Sequence, residues 1–293
     1  MTSLLEGLPR VKAKGPGTSY ALGYTSEEHN RLTRQAALVA PCTERLFRAA
    51  GISPGDRVLD LGSGVGDVSL LLGKLVGPSG KVVGVERDAS SIARAEARIA
   101  AAGLSNVSFL ESDATEVTVS GTFDAVVGRF ILMFLPEPAH TLRGLVRLLC
   151  PGGAVAFLEP SWAAVRGLSA HLPLYSAFAT AIVETYKTCK VNPEMGTAMI
   201  RAFVDAGLPI PSVSMEVVLG SNEEFTRALA ETLRSLEPMA RQNGVSLQML
   251  GDLRTLGERL YAEAHGAGDA IPWLGGIVGA WCRIPGDVGE HVT

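Results

Sequence analysis

The run Val58-Leu59-Asp60-Leu61-Gly62-Ser63-Gly64-Val65-Gly66-Asp67 constrains this chain more than any other segment, because it reads as a buried strand that breaks into a glycine-rich turn and then opens a helix. Gly62, Gly64 and Gly66 carry no Cβ, so the turn can take positive φ and let a ligand lie against bare backbone. The helix that follows presents N–H donors with no partner inside the helix, which suits a nucleotide-like ligand. A bare glycine triplet also serves to pack a helix tightly on a strand, so the surrounding chain has to decide.

That chain alternates short β-branched runs with helical stretches, the pattern of a parallel sheet with helices on both faces. Strands are predicted over 57–61, 81–85, 107–110, 124–128 and 154–158. A helix over 90–102 follows an Asp88 cap and stops at Gly103, and another opens at Pro138 and ends before Pro151-Gly152-Gly153. Ahead of this core, apolar spacing over 25–50, broken at Pro41, predicts two short helices. Beyond it come a helical insertion over 161–193, a helix over 195–206 and a strand over 213–219. Amphipathic stretches over 223–243 and 247–264 and a last strand over 277–284 complete the chain. The expected division is 1–50 as an N-terminal arm and cap helices, 51–160 as the ligand-binding core, and 161–293 as cap insertions with the last strands of the sheet. Open α/β sheets bind ligands at the carboxyl ends of their strands, so the helical additions are expected to cover that edge and close a dry pocket.

Two acids narrow the ligand. Glu86 ends the second strand, twenty residues after Gly66, where a carboxylate can accept hydrogen bonds from both hydroxyls of an adenosine ribose. Asp113, followed by Ala114, stands after the third strand, within reach of an adenine amine. Either acid alone could be an ordinary loop carboxylate or helix cap; the two in register with the glycine turn favour an adenosyl ligand.

In this order and spacing, Asp60-Leu61-Gly62-Ser63-Gly64-Val65-Gly66, Glu86, Ser112-Asp113-Ala114, Phe123-Asp124-Ala125-Val126-Val127 and Leu149-Cys150-Pro151-Gly152-Gly153 resemble the successive motifs of class I S-adenosylmethionine-dependent methyltransferases. The style is similar to the ubiquinone/menaquinone-biosynthesis members, most clearly over residues 55–160. The segment from Tyr20 to Gln35 and the Val278-Gly279-Ala280-Trp281 strand resemble the flanks of that group. The resemblance implies a doubly wound, seven-stranded, mostly parallel α/β sheet, Rossmann-like, with the last strand antiparallel and with helical cap insertions. It implies S-adenosylmethionine as cofactor and S-adenosylhomocysteine as product. By motif position the cofactor would touch Asp60, Gly62, Ser63 and Gly64 at its methionine end, Glu86 and Arg87 at the ribose, and Asp113 and Ala114 at adenine. Arg129 and Phe130 after the fourth strand, and Gln35 in the lead-in, complete the implied set.

Other classes fit less well. A nicotinamide or flavin oxidoreductase needs G-x-G-x-x-G, yet Asp67 follows Gly66, and Asp60 would stand against a pyrophosphate. A cofactor-binding member of the fold without catalysis is the other alternative. With a formal net charge of −4 and no basic cluster, the chain lacks the field that a phosphate backbone requires, and Gly128-Arg129-Phe130-Ile131 replaces the Asp/Asn-Pro-Pro pattern of amino-group nucleic-acid methylation. Cys42, Cys150, Cys189 and Cys282 match no metal spacing and are expected to be reduced thiols of a cytoplasmic enzyme. No apolar run reaches the roughly 20 residues of a membrane span. A small-molecule acceptor and a monomer or homodimer are expected.

A base is needed only for a protonated acceptor, and Glu159, His171, Tyr20 and Tyr186 are the candidates, each of which also fits a packing or capping role. Trp162, Leu172, Tyr175, Phe178 and Ile182 are expected to form an apolar acceptor wall, and Met195, Met199, Met239 and Met249 to fill gaps.

Overall fold

In the computed structural model the structure describes residues 25–273 and 275–286. Helix α1 (Ser26–Ala49) starts at Thr25, whose hydroxyl accepts from the Glu28 N–H. It is one helix, not two: Pro41 lies inside it. The lost hydrogen bond and ring clash of an interior proline cost about 3 kcal/mol. Burial of Val39, Leu46 and Phe47 on either side of it offsets that cost and keeps the axis continuous.

The core alternates as expected through β1 (Arg57–Leu61), α2 (Asp67–Val76), β2 (Lys81–Glu86), α3 (Ala89–Ala101), β3 (Val107–Glu111), β4 (Phe123–Arg129), α4 (Pro138–Val146) and β5 (Leu149–Ser161). Asp88 caps α3 by accepting from the Ser91 N–H. Strand β5 is longer than predicted, because the Pro151-Gly152-Gly153 run is absorbed as a register shift opposite Phe123 and Ala125 instead of ending the pairing.

Helices α5 (Ala163–Arg166), α6 (Pro173–Thr188) and α7 (Met195–Asp205) follow. The strand predicted over 213–219 divides into β6 (Ser212–Glu216), which joins the main sheet, and β7 (Leu219–Gly220), because the Val218 carbonyl turns away to accept from the Trp273 N–H. Helix α8 (Glu223–Gln242) matches its prediction. The stretch predicted over 247–264 holds a short 3-10 turn, a break at Gly251 with φ 59°, and helix α9 (Leu256–Ala267). Strands β8 (Ile271–Pro272) and β9 (Gly276–Arg283) end the described fold.

The seven-stranded sheet runs β3-β2-β1-β4-β5-β9-β6. Strands β1 to β5 pair in parallel, and β9 is antiparallel to both its neighbours, so the last strand alone is reversed. Strand order turns back beside β1, which places a crevice at the carboxyl ends of β1 and β4. Helices α1, α6, α8 and α9 pack on one another as a cap over that crevice. Among the described residues, no helix is long and apolar enough to cross a membrane.

The cap has its own apolar centre. Leu172, Tyr175, Phe178 and Ile182 are fully buried there, and the Tyr175 hydroxyl donates to the Pro272 carbonyl at 2.9 Å. Helix α6 opens on Pro173, and its free N–H groups at Leu174 and Tyr175 donate to the Glu263 carboxylate of α9 at 2.7 and 2.9 Å. Tyr175→Phe is expected to lower stability by about 1 kcal/mol, the worth of one buried hydrogen bond, while leaving ligand binding at the sheet edge unchanged; urea unfolding and calorimetry would check both.

Candidate active site

The crevice between sheet and cap is a cavity of about 780 Å³, towards the upper part of the range of about 300–1,000 Å³ usual for small-molecule sites. Its floor is the glycine turn. Gly62 has φ 67° and packs so closely that a Cβ would lie 2.7 Å from the Ile131 side chain. Gly64 has φ 52° and a Cβ there would meet nothing within 4 Å, so this backbone is bare toward the cavity. The turn is pinned by hydrogen bonds: the Ser63 N–H donates to the Val85 carbonyl at 2.9 Å and the Gly64 N–H to Glu86 Oε2 at 3.0 Å. The other oxygen of Glu86 accepts from the Arg87 and Asp88 N–H groups at 2.8 and 3.0 Å. Farther along the wall, Asp113 Oδ1 accepts from the Thr115 N–H and hydroxyl at 2.9 and 2.7 Å, with Ala114 beside it.

Asp60 does not itself reach the wall. It is 1% exposed; Oδ2 accepts from the Ser69 hydroxyl at 2.6 Å, and Oδ1 has no partner among the described residues. Burial pushes its carboxyl up to about 7 against the pull of the Ser69 hydroxyl and the Arg129 charge. The Ser63 hydroxyl is likewise buried and unpartnered. Arg129 and Phe130 both line the cavity. The Arg129 guanidinium donates to the Thr43 hydroxyl of α1 at 3.1 Å, and burial lowers its pKa while the charges of Asp67 and Asp60 raise it. Phe130 holds a positive φ of 55°, unusual for a side chain of its size.

From α1, Gln35 reaches the wall and accepts from Arg31 at 2.6 Å. Arg31, absent from the sequence expectations, also lines the cavity while gripping both oxygens of Glu28 at 2.7 and 2.6 Å. The signal was the Glu28-x-x-Arg31 spacing on the face that carries Leu32 and Ala36, which puts charge where an amphipathic helix buries apolar residues.

The catalytic expectations change. Glu159 is fully buried and off the wall; it accepts from the N–H groups of Ile131, Leu132 and Met133 at 2.9, 2.7 and 3.3 Å. Burial pushes its carboxyl up to about 8 despite those donors. It therefore shapes the turn after β4, whose Met133 and Phe134 face the cavity, and does not reach an acceptor. His171 is exposed and pairs with Asp269 at 2.6 Å on the outer side of the cap, so it is not a candidate base. Tyr20 lies outside the described residues.

The expected acceptor wall is also partly replaced. Trp162 and Tyr186 line the cavity, but Leu172, Tyr175, Phe178 and Ile182 face the cap's interior instead. Met239 and Trp273 take their place, two residues that no sequence pattern singles out for this cavity. Of the methionines, Met195 and Met239 are on the wall, Met199 is in the core, and Met249 is 80% exposed and fills no gap. Among the described residues, no cluster of His, Cys, Asp or Glu could hold a metal ion.

Residues 52–231, more than half of the chain, match the family model of the methyltransferase domain. The chain belongs to the methyltransferase domain family. It is an S-adenosylmethionine-dependent methyltransferase by that membership. It is 30% identical over 174 residues to the demethylmenaquinone methyltransferase of Bacillus cytotoxicus, covering 55% of this chain and 73% of that one. It is 31% identical over 172 residues to the ubiquinone/menaquinone biosynthesis C-methyltransferase UbiE of Pseudomonas paraeruginosa, covering 54% of this chain and 67% of that one. The same fold recurs in a geranyl diphosphate methyltransferase crystallised with sinefungin, at a TM-score of 0.51 and 17% identity over 83% of this chain and 77% of that one.

Because Glu159 supports backbone and not chemistry, Glu159→Gln is expected to cost about 1–3 kcal/mol in urea unfolding, since the new amide cannot accept from all three N–H groups. The pH dependence of methyl transfer in the folded variant should keep its wild-type shape; loss of the acid-side fall in rate would restore Glu159 as a catalytic base.

Proposed function

We propose that this methyltransferase transfers a methyl group from S-adenosylmethionine to a small, hydrophobic, flat acceptor. The observation that carries the reading is one cavity with two chemically distinct ends: bare backbone and carboxylates at Gly64, Glu86 and Asp113, and aromatic and thioether side chains at Trp162, Tyr186, Met239 and Trp273. The bare Gly64 backbone and the Ser63 hydroxyl, unpartnered among the described residues, suit the methionine end of the cofactor, with the Asp60 carboxyl behind the wall close enough to act on a ligand ammonium by its charge. Glu86, whose carboxylate is already oriented by three backbone N–H groups, suits the ribose, with Arg87 alongside. Asp113 and Ala114 suit adenine.

When bound, the cofactor supplies an activated methyl carbon on a positively charged sulfur. The chain's own residues then have three tasks: to hold the acceptor in line with that carbon, to keep water out, and to orient its polar atoms. The cap performs the second by closing α1, α6 and α8 over the sheet edge. For the third, the Trp273 indole N–H is buried without a partner among the described residues, and Tyr186 is held as a donor because burial pushes its hydroxyl up to about 12. Both favour an acceptor that carries an oxygen on its apolar body. The names of the two curated relatives favour a quinone-type ring or a comparable biosynthetic intermediate, in primary or secondary metabolism.

Calorimetric titration tests the cofactor assignment: S-adenosylmethionine and S-adenosylhomocysteine should bind in about the micromolar range, with affinity falling at least about tenfold in Glu86→Ala, as loss of charge-assisted hydrogen bonds predicts. Binding of NADH alone would overturn it. A second expectation follows from Asp60. In the free protein its carboxyl is protonated below about 7, and a ligand ammonium favours the ionised form. Affinity for S-adenosylhomocysteine should therefore weaken as pH falls below about 7 and level off above it. Asp60→Asn should abolish that slope, and a slope that survives would place the titrating group elsewhere.

A further inference from the structure

Helices α1, α3, α6, α7, α8 and α9 all close on the same pair of backbone bonds, in which a residue just past the helix donates back three positions and the next residue donates back five. The first of those two residues takes positive φ, a conformation that a Cβ disfavours. In α1, α3, α7, α8 and α9 it is a glycine: Gly51, Gly103, Gly207, Gly244 and Gly268. In α6 it is Lys190, at φ 59°. Among the described residues, Lys190 and Phe130 alone hold positive φ without being glycine, and both stand on the cavity wall. The helix dipole does not account for the lysine, because Lys187 already places a cation in the last turn of α6 without a left-handed backbone.

The surroundings give this lysine a use. Its backbone is fixed on the far side too: the Val191 N–H donates to the Tyr186 carbonyl and the Asn192 N–H to the Met133 carbonyl, both at 2.9 Å, which ties this rim to the loop after β4. The neighbouring Cys189 thiol lies 3.2 Å from the Met239 sulfur, so the rim belongs to the aromatic and thioether end of the cavity. The acids on the wall, Asp67, Glu86 and Asp113, follow β1, β2 and β3 at the other end. Of the wall's cations, Arg31 grips Glu28, Arg87 follows Glu86, and Arg129 is held beside Thr43, Asp60 and Asp67. Lys190 is exposed, and its side chain has no hydrogen bond or ion pair among the described residues. One turn earlier on α6, Tyr186 is 7% exposed and on the wall, and its hydroxyl likewise has no hydrogen bond among the described residues. We propose that the acceptor carries an anionic group, such as a carboxylate, on its apolar body, and that Lys190 receives that group at the rim while Tyr186 addresses an oxygen deeper in the cavity. An ammonium on a flexible stem reads charge and not shape, so any compact anion in that place serves. This rests on the reading of the acceptor as small, hydrophobic and flat.

The test uses the full chain loaded with S-adenosylhomocysteine and two probes of one shape, 6-hydroxy-2-naphthoate and its neutral amide 6-hydroxy-2-naphthamide, titrated by calorimetry at low ionic strength. Wild type should prefer the carboxylate by about fivefold, the upper range for an ion pair open to water, and by about twofold or less in about 0.5 M salt. Lys190→Gly and Lys190→Met should each bring the ratio to about one, with the amide bound within about twofold of wild type, whereas Lys190→Arg should keep the preference. Lys190→Gly should also raise Tm by about 2 °C, because glycine takes the left-handed backbone without cost. Tyr186→Phe should weaken both probes alike, by about fivefold, and leave the ratio in place. A ratio that survives both Lys190→Gly and Lys190→Met overturns the proposal, as does equal weakening of both probes in these variants, which would make Lys190 a support of the rim. A lower Tm in Lys190→Gly, or a ratio that Tyr186→Phe abolishes, would overturn it too. Wild type binding both probes equally sinks the proposal alone; wild type binding neither sinks the flat-acceptor reading with it.

Discussion

Carboxylates at strand ends that accept backbone N–H groups hold this site together. Glu86, at the end of β2, takes one N–H from the glycine turn and two from its own loop; Glu159, at the end of β5, takes three from the turn after β4. The glycine turn and the loops after β2 and β4 make up much of the floor of the cavity, and such irregular chain needs partners for its polar groups. A buried backbone N–H left without a partner costs about 1–3 kcal/mol, so by accepting from these groups the two acids fix loops that apolar packing alone leaves loose. Cβ-free approach at Gly62, where Ile131 fills the space, joins the two loops into one surface.

The same acids show where sequence reading succeeds and where it stops. A carboxylate at the ligand edge of a parallel sheet looks the same in sequence whether it turns toward a ligand or back toward the chain. Glu86 does both, lining the cavity and pinning the turn; Glu159 does only the second. The strands, the glycine turn and the acids after β2 and β3 were legible because hydrophobic runs and punctuating residues are local signals. Pro41 was misleading for the converse reason. The local rule breaks a helix there, but long-range burial of Val39, Leu46 and Phe47 overrides it.

The cap was harder still. Tyr175, Phe178, Ile182 and Tyr186 share one stripe of α6, and periodicity assigns them one common environment. The structure divides them along the helix axis: the first three enter the cap's own core, and Tyr186, near the last turn, reaches the cavity. A 3.6-residue period reports which side of a helix is buried and says nothing about what lies beyond each turn. Trp273 went unnoticed, and Met239 was read only as a gap-filler, for a related reason. They come from segments remote from the motifs, and only the closing of α8 and β8 over the sheet brings them to the wall.

The floor, from Gly62 to Phe134, lies wholly inside the segment 52–231 that matches the methyltransferase domain. Much of the roof does not: Arg31 and Gln35 precede that segment, and Met239 and Trp273 follow it. Among the described residues, floor and roof are joined by the hydrogen bonds of Arg129 to Thr43 and of Arg94 to Asn30 and by the contact of His29 with Ser91 at 3.2 Å. Substitutions in α6, α8 or the β8 loop can therefore reshape the roof of the cavity without disturbing the hydrogen bonds of the glycine turn. Changes to Glu86 or Glu159 cannot be so contained, because each carries several backbone groups at once. In this chain, then, the floor is fixed by hydrogen bonds to backbone groups, and the roof is built largely from side chains on helices outside the glycine turn.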